Sequence, residues 1–151
     1  MSKLYLEDFH VGMQVVMGPR PISAEEIVTF ARRYDPQPFH LDDEAGKATP
    51  FGGLVASGWH TVSICMRMMV DGFIGNSASM GSPGLDELRW VKPVRPGDIV
   101  TLTMTVREVT PSKSKPDRGV IRSEYELRNQ RGELVMTMRG MGMYGRRPAA
   151  A

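Results

Sequence analysis

The sequence predicts an α+β domain in which an antiparallel sheet lies against a long buried helix. Three observations predict it. Helix-like periods occupy the first half of the chain, and strand-like alternation fills the second half, so strands follow strands instead of alternating with helices. One of the early segments, Val62 to Val70, is apolar on nearly all sides and calls for cover by other structure. The 151 residues amount to one ordinary domain, 1–151, with one core.

Taken in order, Gly12 to Gly18 reads as a short leading strand between glycines. Ser23 caps a first helix, and Glu26 three residues later completes a capping-box pattern. Ile27, Val28, Phe30 and Ala31 supply its apolar face, and it stops near Tyr34 because Asp35 precedes Pro36. Asp35 to Gly53 is rich in Pro, Gly and Asp and reads as loop, with one helical turn started by Asp42. A longer helix begins near Ser57 and Gly58, runs to about Val70 and is ended by Gly72. Its Val62, Ile64, Cys65, Met66, Met68, Met69 and Val70 predict burial on all sides.

Four strands follow. Leu85 to Val94 is stopped by Pro93. Thr101 to Val106 alternates strictly, with Leu102, Met104 and Val106 on one face. Arg118 to Leu127 puts Ile121, Tyr125 and Leu127 on one side, and Leu134 to Tyr144 does so with Leu134, Met136 and Met138. Gly97-Asp98 and Gln130 to Glu133 are turn signals, and Thr110 to Gly119 is a polar loop. Residues 146–151 read as a frayed, flexible tail.

Composition narrows the function classes. Hydrophobic residues make up 41% and charged residues 24%, which is ordinary for a globular chain. A net charge of +2 with scattered basic residues gives no nucleic-acid footprint. No apolar run is long enough for a membrane span or a signal peptide, and the single cysteine excludes an internal disulfide, so a cytoplasmic protein is expected. The three histidines have no ligand spacing and there is no cysteine pair, so no metal site is expected. Phosphate-loop, dinucleotide and nucleophile-elbow motifs are all missing.

Two constellations could carry chemistry. In Tyr34-Asp35-Pro36-Gln37-Pro38-Phe39-His40, two prolines stiffen a short segment that holds one carboxylate and one imidazole, the pairing that acid/base catalysis uses. The same residues also read as a solvated turn with a surface histidine. In Phe51-Gly52-Gly53-Leu54-Val55-Ala56-Ser57-Gly58-Trp59-His60-Thr61, glycines lead into the long helix, whose free N–H groups can stabilise a carbonyl gaining negative charge. Helix capping by Ser57 with glycine turns is the plainer reading there. His60 reads as a core histidine, Trp59 as packing, and Cys65 as an inert buried thiol.

Together these constellations resemble the MaoC-like dehydratases, which include the R-specific enoyl-CoA hydratases. Asp35-Pro36-Gln37-Pro38-Phe39-His40 is similar to that family's Asp-x-Asn-Pro-hydrophobic-His motif, with Gln37 in place of Asn. Ser57-Gly58-Trp59-His60-Thr61 resembles its central helix start, with Ser57 where many members have His. Leu88 to Asp98 resembles a family strand and turn, with Lys92-Pro93-Val94 followed by Gly97-Asp98. The resemblance implies a hot-dog fold, a curved antiparallel sheet wrapped around a long central helix, paired into a homodimer or higher homo-oligomer. It implies reversible syn addition of water to a 2-enoyl thioester of CoA or acyl-carrier protein, giving an (R)-3-hydroxyacyl thioester.

In that reading Asp35 and His40 hold one water, His40 takes its proton, and Asp35 passes a proton to the α-carbon. The Gly58 N–H supports the enolate oxygen. Gln37, Pro38, Phe39, Gly53, Ser57 and Trp59 are expected to contact substrate. No cofactor beyond the thioester itself is implied, and neither a nucleic acid nor a membrane is an expected partner. A hot-dog thioesterase is the rival enzyme, disfavoured because Val55 to Val70 holds no carboxylate. A noncatalytic thioester-binding module is the rival outside catalysis.

Overall fold

The computed structural model describes residues 2–150. Strand β1 spans Gln14–Pro21 and helix α1 Ala24–Tyr34. Two short helices follow, α2 over Pro38–Leu41 and α3 over Asp43–Lys47, before the long helix α4, Gly58–Gly72. Strands β2 (Leu85–Trp90), β3 (Ile99–Pro111), β4 (Arg118–Arg128) and β5 (Leu134–Gly145) complete the chain. They form one antiparallel sheet in the order β1-β3-β4-β5-β2, with β1 and β2 as its free edges.

The core is the seam between α4 and the inner face of this sheet. Val100, Leu102, Met104 and Val106 of β3, Ile121 and Leu127 of β4, and Met136 and Met138 of β5 meet Ile64, Cys65, Met68 and Met69 of α4. Each such side chain contributes roughly 1.5–3 kcal/mol by leaving water. The opposite face of the sheet is polar, crossed by ion pairs such as Arg107–Glu124 (3.0 Å), Arg122–Asp86 (2.8 Å) and Arg139–Glu87 (2.8 Å).

Several expectations need correction. Ser23 does accept the Glu26 N–H, at 3.1 Å, but the Glu26 carboxylate goes to Arg20 at 2.8 Å, so only half of the capping box forms. The Asp35–Gly53 segment holds two helical pieces where one was expected. Besides the turn that Asp42 caps, Pro38 starts α2 from the first helical position, where its missing N–H costs nothing. Helix α4 is covered on one side only, leaving Trp59, Met66 and Val70 exposed. Strand β2 ends at Trp90, before the expected Val94, because the Val91 and Lys92 N–H groups both turn to the Val135 carbonyl. The start of the tail is anchored. The Arg146 N–H reaches the Asp117 carbonyl at 2.8 Å, and Arg147 pairs with Asp8 at 2.6 Å and lies over the Tyr5 ring.

Among the described residues, no helix is long and apolar enough to cross a membrane, and no group of three or more metal-ligating side chains comes together.

Candidate active site

Asp35 sits where α1 ends, its N–H bonded to the Ala31 carbonyl, and its backbone leaves helical geometry under the constraint of Pro36. Five residues later, α2 turns His40 back toward it. His40 is buried, with 6% of its surface exposed. Its Nδ1 lies 2.7 Å from the Val55 carbonyl oxygen. A carbonyl only accepts, so Nδ1 carries the proton and a neutral ring presents its lone pair at Nε2. Nε2 stands 3.3 Å from Asp35 Oδ2.

The carboxylate is held from two other sides. Gln37 Nε2 donates to Oδ1 and the Ser57 hydroxyl donates to Oδ2, both at 2.7 Å. Burial pushes the Asp35 carboxyl up, but these two hydrogen bonds, joined by the His40 charge whenever that ring is protonated, outweigh it and hold it below the ordinary carboxylate value. Asp35 is therefore ionised at neutral pH. With Nε2 unprotonated, the two facing atoms are both acceptors, and a donor beside them within reach of each satisfies both.

A cavity of about 470 Å³ opens over this pair, lined also by Phe39, Phe51, Gly58, Trp59 and Trp90. The first bond within α4 runs from the Thr61 N–H to the Ser57 carbonyl, so the N–H groups of Gly58, Trp59 and His60 precede it and carry the positive end of the helix. Only glycine fits at position 58. The Trp90 indole lies on its Cα, where a Cβ would stand 2.5 Å from a ring carbon, and the Trp90 Nε1–H donates to the Gly58 carbonyl at 2.9 Å. The Phe39 ring meets His40 edge-on at 4.4 Å and backs the imidazole.

The structure thus brings Asp35, Gln37, Phe39, His40, Gly58 and Trp59 to one cavity. Three expected substrate contacts lie elsewhere. Pro38 is exposed outside the cavity, its ring used to start α2. Gly53 is buried beside Asp43, whose Oδ1 would stand 3.1 Å from a Cβ there. Ser57 is fully buried behind Asp35, and its hydroxyl orients the carboxylate instead of capping α4. His60 packs flat on Phe30 at 4.9 Å, away from the cavity, with Nδ1 unpartnered among the described residues. Trp90, Phe51 and the Val91–Val94 wall fall in stretches that the sequence singles out, but none of them was expected to contact substrate. No sequence signal marked Trp90, which reads there as one more residue of the Leu85–Val94 strand.

Known proteins share this architecture. A model of the MaoC like domain matches residues 8–126. A MaoC-like dehydratase from Rhodospirillum rubrum superposes with a TM-score of 0.88 at 42% identity, covering 97% of this chain and 99% of that one. The 3-hydroxybutyryl-CoA dehydratase of Methylorubrum extorquens is 32% identical over 113 residues, 74% of this chain and 69% of that protein. The (R)-hydratase of A. caviae, at 23% identity and a TM-score of 0.70, covers 94% of this chain and 99% of its own, and shares the fold. The five-stranded antiparallel sheet with its long helix is the hot-dog fold of these relatives. The chain belongs to the MaoC-like domain family.

Proposed function

We propose that the protein catalyses the reversible addition of water to a 2-enoyl thioester of CoA, giving a (R)-3-hydroxyacyl thioester. The observation that carries this reading is the Asp35–His40 pair, two acceptors 3.3 Å apart beneath a cavity that also receives the N-terminus of α4. A water on the cavity side of the pair, within hydrogen-bond reach of both atoms, donates one hydrogen to each and is thereby aimed by both.

As the water oxygen bonds to the β-carbon, His40 Nε2 takes one of its protons. The thioester oxygen gains charge as the enolate forms, and the Gly58 N–H donates to it. The proton crosses from Nε2 to Asp35 Oδ2 and goes on to the α-carbon, on the same face as the new hydroxyl. Both groups end as they began. A carboxyl whose pKa is held down is a strong acid once protonated, so Asp35 passes the proton on and does not keep it. Dehydration is the same path reversed. No step calls for a group beyond the chain and the thioester.

The thioesterase reading is disfavoured by α4. Its one carboxylate, Asp71, lies at the far end and is bound to Arg67 at 2.9 Å. As a partner we propose a second copy, in line with the free β2 edge, where Leu85 and Val91 are exposed.

The test is loss of the enoyl-thioester ultraviolet absorbance with crotonyl-CoA. Wild type consumes it, and Asp35→Asn slows the rate at least about a hundredfold while its circular dichroism stays native. Near-normal hydration by Asp35→Asn overturns the mechanism, and release of free CoA without hydration points to the thioesterase.

A further inference from the structure

A second cavity, of about 360 Å³, opens farther along the same seam. It is lined by Val62, Met66 and Met69 of α4, by Leu85, and by Gly140 and Gly142 of β5. No lining residue is common to the two cavities. The inward positions of β5 read Met136, Met138, Gly140, Gly142 and Tyr144, and the two glycines give their room to the Leu85 side chain and the Tyr144 ring, which line the cavity with them.

The register shows what separates the cavities. A bulge between Leu85 and Glu87 turns Leu85, Leu88 and Trp90 to the same face of β2, opposite the inward residues Gly140, Met138 and Met136 of β5. On α4, Trp59, Val62 and Met66 follow at helical spacing on one face. The two elements meet as Trp59 against Trp90 at the catalytic end, with Met66 and Leu85 lining the far cavity. Trp59 to Met66 is seven residues of helix, a distance of about 10 Å.

The two tryptophans of the chain line the catalytic cavity and not the apolar one, and they sit at the end of the α4–β2 seam nearest Asp35 and His40, so the way along that seam to the second cavity leads past them. Their rings meet edge to face, with centroids 5.4 Å apart. They are held unequally. Trp90 is fixed by its bond to the Gly58 carbonyl and by its seat on Gly58. Trp59 is 60% exposed and leans on Trp90 alone among aromatic partners.

We propose that the Trp59–Trp90 pair sets the acyl-length limit of the site, with Trp90 as the fixed wall and Trp59 as the leaf that closes the second cavity to the substrate's acyl chain. The proposal rests on the thioester reading above and adds its acyl class, a short unbranched chain that ends at the tryptophans. A longer chain must displace Trp59 to reach the second cavity, beside Val62, Met66 and Leu85. In a close-fitting apolar pocket a single methylene already changes selectivity about tenfold or more, so the barrier is expected to weigh heavily.

The experiment measures binding and turnover separately on the full chain. Affinities for butyryl-CoA and lauroyl-CoA, which cannot be hydrated, are measured by calorimetry. Hydration of crotonyl-CoA and 2-dodecenoyl-CoA is followed in parallel. Wild type is expected to favour the short chain in both. Trp59→Ala raises the long-to-short ratio at least tenfold, Trp59→Leu raises it less, and adding Met66→Trp to Trp59→Ala fills the cavity and abolishes the gain. An unchanged ratio in Trp59→Ala, or a wild type that takes the long chain as well as the short one, overturns the proposal. If the binding ratio shifts as expected and no enoyl thioester is hydrated, the barrier stands and the hydratase reading falls. If neither CoA ester binds, both fall.

Discussion

Replacing Ser57 with alanine tests whether the carboxylate is held by design of the fold or merely lies near a hydroxyl. The Ser57 hydroxyl is fully buried and donates to Asp35 Oδ2 at 2.7 Å. A hydrogen bond to a charged group contributes roughly 1.5–3 kcal/mol. At about 1.4 kcal/mol per decade this corresponds to roughly ten- to hundredfold in rate if all of it is felt in the transition state. Two features argue for the lower end. Gln37 still holds Oδ1, and the Asp35 side chain is 20% exposed, so water can reach the vacated lone pair. We therefore expect kcat/KM for crotonyl-CoA to fall about tenfold in Ser57→Ala. The direction in pH follows from the same bond. Ser57 is one of the groups that lower the Asp35 pKa, so its loss lets that pKa rise, and the acidic limb of the pH–rate profile moves to higher pH. The assay is enoyl absorbance loss across the acid and neutral range, with the thermal midpoint measured alongside. A tenfold loss on a profile that superimposes on wild type would show a packing effect only. A rate within twofold of wild type would show that the bond does nothing for the reaction.

Two further outcomes concern stability and reactivity. His60→Phe keeps the stack on Phe30 and removes a buried nitrogen without a partner, so it should stabilise the fold by about 1 kcal/mol, within the range for an unpaired buried polar atom. Burial pushes the His60 pKa below 6.5, with Glu26 opposing and Arg20 adding to the shift, so the unfolded chain binds that proton first. Stability conferred by the neutral ring is then lost as pH falls from 6.5 toward the lowered value, and urea titrations of His60→Phe should show a shallower acid decline; equal slopes refute this. Cys65 is buried and its thiol pushed up to about 12, so a disulfide reagent should label it only as fast as the protein opens; rapid labelling of the native protein refutes that.

Much of the fold was legible because period and burial agree. The strict alternation of Thr101 to Val106 gave the inward face of β3, and the all-apolar stretch in α4 marked the helix that the sheet covers. What period could not give was how far the cover extends, since Trp59, Met66 and Val70 look the same in sequence whether they face a sheet or solvent. The chemical loop was legible through its prolines, which restrict Asp35 and start α2. The role of Ser57 was not. Its position before a helix reads as a cap, and only the return of α1's end beside it gives the hydroxyl a stronger acceptor in Asp35. The Trp90 wall stayed hidden for a related reason, because it depends on contact between residues 32 apart in sequence.

The segment leading into α4 has one more consequence. The Val55 N–H bonds the Phe39 carbonyl, the Val55 carbonyl accepts from His40, and the Ala56 N–H bonds the Val94 carbonyl. Imidazole, helix entry and the connection after β2 are thus joined through main-chain atoms, which every residue except proline supplies in full. Mutation at 55, 56 or 94 can change side chains without cutting those links, while Trp59, Met66 and Leu85 belong to none of them. On the reading proposed above, natural variation at Trp59, Met66 and Leu85 rewrites which acyl group is accepted while the main-chain links about His40 are inherited intact, so that substrate range and reaction evolve as separate traits of one small domain.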